Sequence, residues 1–123
     1  MKDWRRYEIL RPLRFNDGKR VPKELLSQTI EELEAHFGAV SCETQIIHGR
    51  WRSEGKAIRD DLVRIYVDAE NTREAQAFFA NFKERTKTRF PQLDIWLTSH
   101  SIEVLWGNTQ PEVSQRSFAW VSG

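Results

Sequence analysis

Cysteine is almost absent from this chain of 123 residues: Cys42 stands alone. No internal disulfide can form, which suits a reducing compartment. Long apolar runs are missing too. None approaches the roughly 20 residues needed to span a bilayer, and the start MKDWRRYEIL lacks the apolar stretch of a signal peptide. A cytoplasmic protein with no membrane partner is expected. Charge of one sign is not in excess, since 19 Lys and Arg face 18 Asp and Glu, which removes any global argument for a polyanionic partner. Phosphate-cradling glycine loops and dinucleotide fingerprints do not occur. The histidines, His36, His48 and His100, show no metal-ligand spacing, and one cysteine excludes a thiolate cluster. No metal and no cofactor is expected.

What is present describes one soluble domain: 39% hydrophobic and 30% charged residues, enough for one modest core. RYEILRPLRF reads as a first strand and NDGKRVP as a turn-rich loop. Leu26, Ile30, Leu33 and Phe37 recur at helical spacing behind Pro22, placed at the first helical position, and Gly38 ends that helix. AVSCETQII alternates as a half-buried strand with Val40, Cys42, Thr44 and Ile46 on one face, which puts Cys42 in the core. Gly55 marks a hairpin turn into AIRDDLVRIYVD. Asn71 with Glu74 forms a capping-box-like start to a second helix, whose apolar face is Ala75, Phe78, Phe79, Phe82 and Phe90. LDIWLTSHSIEVLW is the last strand, with a bulge expected near Ser99 to Ser101 where its alternation changes phase.

The order predicts an α+β protein of ferredoxin-like βαββαβ type: a four-stranded antiparallel sheet, order 4-1-3-2, with two helices on one face. The domain is expected over residues 1–106, and 107–123, without any period, as an extended C-terminal tail. Positive charge gathers before residue 24 and in KERTKTR, whereas residues 24–49 hold no Lys or Arg. With the helices side by side, the acidic face of the first can pair with the basic face of the second.

The face of the sheet away from the helices is then expected to hold Ile47, Trp51, Leu62, Tyr66 and Trp96 with Arg64 among them. Such a patch needs a cover. A second copy of the chain is favoured, making a homodimer. The tail, through Phe118 and Trp120, is another candidate cover. Nucleic acid is a third, using this face or the basic second helix, but no base-stacking signature of the RNA-binding sheets occurs. His48, Asp60 and His100 are catalytic candidates if the bulge turns His100 inward, since an imidazole beside a carboxylate can act as general base. Arg50, Arg59, Asp60 and Arg64 are equally explained as cross-strand ion pairs that fix hairpin register and organise an interface.

The run GRWRSEGKAIRDDLVRIYVDAENTREAQAFFANFKERTKTRF, in its Gly-x-Trp start, Gly55 turn, acidic strand entry and aromatic-basic helix, resembles small bacterial proteins built on a ferredoxin-like sheet. The resemblance implies a fold and a bacterial origin, without a reaction. A looser similarity links the layout to dimeric α+β barrel proteins, among them small-molecule monooxygenases and binding proteins. The function expected is therefore a small self-associating binding or accessory protein. A small enzyme acting on an anionic substrate and a nucleic-acid-binding protein are the alternatives.

Overall fold

Periodicity of two and of 3.6 residues divides the chain as its sequence requires. In the computed structural model, which describes residues 3–43 and 45–105, the elements are β1 (Trp4–Pro12), α1 (Lys23–Phe37), β2 (Ser41–Cys42), β3 (Ile47–Ser53), β4 (Lys56–Glu70), α2 (Arg73–Arg89) and β5 (Trp96–Ile102). The sheet is antiparallel throughout, with β4 between β1 and the edge formed by β2 and β3, and β1 between β4 and β5. Tyr7 and Ile9 of β1 and Ile65, Val67 and Ala69 of β4 meet Leu33 of α1 and Ala75, Phe79 and Phe82 of α2 in one buried cluster. Both helices thus cover the same face, because every second strand residue points to it. The expected C-terminal tail, residues 107–123 with Phe118 and Trp120, lies outside the described residues, as does Thr44.

Five strands replace the expected four, giving βαβββαβ. The second strand is broken: Cys42 lies opposite Ile65 and Ile47 opposite Leu62. Five steps on the edge strand (42 to 47) thus match three on β4 (65 to 62), and two residues are extruded from the ladder. An even insertion preserves the alternation, so Ile47 keeps the outward phase of Ser41.

Three further expectations are corrected. The pairing of β5 with β1 runs unbroken from Trp4 with Ile102 to Leu10 with Trp96, so no bulge interrupts Ser99 to Ser101. His100 consequently lies opposite Arg6 on the outward face. Arg5 bonds Ser99 and Ser101 through their hydroxyls, at 3.0 and 3.2 Å; this explains how polar residues continue a strand whose apolar alternation had faded. Cys42 is exposed, because the edge of the sheet projects past the helices even though its phase is inward. Partial desolvation, then the charge of Glu43, pushes its thiol up, which makes it a poor nucleophile at neutral pH. Finally, Thr72 rather than Asn71 caps α2, its hydroxyl accepting from the Ala75 amide at 3.1 Å, while Pro22 sits one residue before α1. Asn71 instead donates to Asp3 and accepts from Gln76.

The β3–β4 turn places both Glu54 (φ 52°) and Gly55 (φ 77°) in the left-handed region, as a two-residue turn compatible with strand twist demands. Glycine adopts this freely, but glutamate does not. Glu54→Asn is expected to stabilise the protein by roughly 0.5 kcal/mol, or about 2–4 °C in thermal midpoint. A midpoint that stays level or falls in calorimetry refutes the turn assignment.

Among the described residues no helix is long and apolar enough to cross a membrane.

Candidate functional site

Even-numbered residues of β1, β4 and β5 all point away from the helices, so the sheet carries a second, solvent-facing layer of side chains. At its centre Arg64 donates to Glu8 on β1 and to Glu43 just after β2. Glu43 reaches it because pairing with β4 persists one residue past β2, its amide donating to the Arg64 carbonyl at 2.9 Å. On the other side of Tyr66, Arg6 makes a two-pronged bond to Asp68, at 2.7 and 2.9 Å. The Tyr66 ring lies between the two guanidiniums, 4.4 Å from that of Arg6 and 4.7 Å from that of Arg64. The cations gain from the negative ring face as well as from their carboxylates.

These contacts fix charge states. Hydrogen bonding to Arg64 is the main reason that the Glu8 carboxyl is held below the usual carboxylate range; desolvation opposes this, and Arg64, His100 and Arg6 add attraction. Glu8 is therefore ionised at neutral pH. It is already engaged, as is Arg64, so the central row is a preorganised platform and not a free acid or base. Toward the β3–β4 hairpin end of the face stand aromatic and apolar side chains. Trp96 is 66% exposed and Trp51 44%. Ile47 lies directly opposite Leu62, and a side chain at Gly49 would meet Leu62 Cδ1 at 3.1 Å and Trp51 Cζ3 at 3.6 Å. Gly49 thus leaves the space in which Leu62 and Trp51 come together.

No protein-family model matches the chain, and no curated protein does. Among solved structures, a phage SAM lyase in complex with S-methyl-5'-thioadenosine is similar to it at a TM-score of 0.55 and 13% identity, over 88% of this chain and 95% of that one. The same enzyme in its apo state gives a TM-score of 0.47 at 13% identity, over 86% and 94%. A de novo designed protein with a ferredoxin fold gives 0.29 at 15% identity, over 91% and 95%. The last two values are too low to define a shared fold. The first is a likeness of fold alone: an antiparallel α+β sheet carrying two helices.

Of the residues singled out from sequence, Ile47, Trp51, Leu62, Arg64, Tyr66 and Trp96 occupy the same outward layer. Asp60 and His100 share that layer but lie far apart along it, whereas His48, Arg50 and Arg59 have the opposite phase. His48 lies opposite Asp61, its Nδ1 2.8 Å from the carboxylate, with both side chains well exposed. Asp60 lies opposite Gly49 instead; its carboxyl is pushed up by desolvation, then by Asp61 and Asp94. His100 belongs to the row of Arg6 and Asp68, seven residues along β4 from Asp61, or roughly 23 Å at strand rise. His48, Asp60 and His100 do not converge. Arg50 and Arg59 oppose each other across the hairpin, a like-charge pair that costs stability. Among the described residues no group of three His, Cys, Asp or Glu is placed to hold a metal ion.

Sequence reading missed Glu8, Glu43, Arg6 and Asp68. Their outward phase was readable, but which of the charged residues on β1, β4 and the segment after β2 would meet depends on register between segments far apart in the chain. The one signal available was that Arg64 sits mid-strand between apolar residues, where a cation needs a carboxylate.

Proposed function

We propose that this chain is a self-associating binding protein whose outward sheet face forms the contact with a second copy. The observation that carries the reading is Trp96, two-thirds exposed on a regular strand beside Leu10. With Leu62, Ile47 and Trp51 it places apolar side chains toward one end of the face, beside the paired polar row of Arg64, Tyr66 and Arg6. That arrangement is how a specific contact is built: aromatic groups supply the energy, and satisfied ion pairs supply register without leaving a buried charge unpaired. Facing sheets of two copies bring the two apolar patches together about a two-fold axis.

The test is the mass of the native protein in solution, by light scattering or native mass spectrometry. The wild type is expected at a multiple of its 14.5 kDa, and Trp96→Glu is expected to weaken the assembly roughly thirtyfold or more, the loss of a typical hot-spot residue, with circular dichroism unchanged. A wild type that runs as a monomer at micromolar concentration sinks the proposal.

A second reading is supported by the fold likeness to an enzyme that binds S-methyl-5'-thioadenosine. The exposed Trp96 ring on the outward face suits stacking against a ligand that carries a flat ring. Incubation with SAM, followed by chromatography for S-methyl-5'-thioadenosine, tests this directly. Product that appears with the wild type and fails with Trp96→Ala places the reaction on this face; no product above the buffer blank removes the reading.

A further inference from the structure

On the opposite side of the sheet, Arg11 presents a different problem in electrostatics. It lies on β1 in phase with Tyr7 and Ile9, pointing toward the helices, and is only 4% exposed. A guanidinium remains protonated at neutral pH even though burial pulls its pKa down. It carries five N–H donors, and among the described residues its partner is one neutral acceptor, the Thr29 hydroxyl at 3.1 Å. That hydroxyl is itself oriented, donating to the Leu25 carbonyl at 2.9 Å. A buried cation without a counter-charge is expensive.

Arg11 lines a small cavity between α1, α2 and the end of β1, with room for a few water molecules. The walls are of two kinds. Ile9, Phe82 and Phe90 are apolar, and Thr29, Arg85 and Arg89 are polar. The acidic residue that lines it, Glu32, is already bound to Arg85 at 2.6 Å. Arg89 is exposed at the cavity and belongs to the last turn of α2. Thus two guanidiniums, one buried and one at the rim, flank a space in which, among the described residues, no carboxylate is left to neutralise them.

We propose that this cavity is a binding site for a small oxyanion group, a carboxylate or a phosphate, held by Arg11 at its floor and by Arg89 at its rim. The planar guanidinium fork matches either group in two-pronged geometry. The apolar walls accept a short hydrocarbon body behind the anion. This site lies across the sheet from the Glu8, Arg64 and Glu43 row and does not depend on the role of that face.

The test uses the full chain, titrated separately with sodium phosphate and sodium butyrate while sodium chloride holds the ionic strength constant. Calorimetry follows binding, and the Arg11 Nε–Hε resonance, assigned by its loss in Arg11→Met, is followed by NMR. Saturable heat together with movement of that resonance is expected for at least one anion, with affinity at least tenfold weaker in Arg89→Gln. Saturation by phosphate alone identifies a phosphoryl group, and by butyrate alone a carboxylate with an apolar body. If Arg11→Met does not fold, Arg11→Lys provides the assignment. A response that fails to saturate with either anion, or one that saturates while the Arg11 resonance stays still, overturns the proposal.

Discussion

Phe79→Ala is expected to destabilise the fold by about 3–5 kcal/mol, the largest loss of any single truncation argued for this protein. Phe79 is buried at the meeting point of both helices and the sheet. Its ring stacks on Tyr7 of β1 with centroids 4.1 Å apart, and on Phe37 at the end of α1 at 5.2 Å. Phe78 and Phe82 pack on it edge-on, at 5.3 and 6.3 Å. No neighbour can fill the space left by a phenyl group, because each ring is held by others, so both the transfer and the cavity costs are felt. A domain of this size has about 5–15 kcal/mol in total. The shift in urea midpoint measures the effect; a loss below about 1 kcal/mol shows that the cluster collapses around the gap and that its rings are not interlocked.

Arg64→Met is expected to reverse the response of stability to acid. In the wild type the Glu8 carboxyl is depressed, first by its bond to Arg64. The stabilisation it provides is complete above the unfolded carboxylate value, about 4.3, and is lost as pH falls through the lower folded value. Removing Arg64 leaves Glu8 beside Glu43 with no cation between them. Desolvation, the largest influence that remains on Glu8 and larger than the pull of either His100 or Arg6, then raises its carboxyl. The folded variant binds a proton more readily than the unfolded chain, so its stability rises as pH drops from 7 toward 4, where that of the wild type is level and then falls. At pH 7 the variant is weaker by about 1–3 kcal/mol, the cost of leaving charged hydrogen-bond partners unsatisfied. Denaturation curves at pH 7, 5 and 4 decide it. Parallel slopes for the two proteins mean that the Glu8 and Arg64 pair is too well solvated to matter.

The two predictions concern opposite faces of one sheet, and the faces were unequally legible. Phe79 and its neighbours were identifiable as core from spacing alone, because a helix against a sheet must turn every third or fourth residue inward. The outward face was readable only as a set of phases. Its aromatic members could be placed, yet its charged network could not, since Glu8, Glu43 and Arg64 come from three segments and their meeting requires two independent strand registers. The broken edge strand shows the same limit. Nothing local in ETQI, residues 43–46, signals that two residues leave the ladder, although the preserved phase of Ile47 made the error harmless to the face.

Local spacing within the sequence thus determined the helices, the end of the first at Gly38, the β3–β4 turn and the division of strand residues between two faces, because each depends on the conformational preference of a few adjacent residues. Tertiary structure alone decided that β5 runs without a bulge, that Cys42 is exposed at an edge and that His48, Asp60 and His100 stand apart. It also decided that Arg11 is buried with no carboxylate partner among the described residues. Each of these is set by pairing and packing between residues distant in the chain, where the free energy of the whole arrangement, and no local preference, selects the partner.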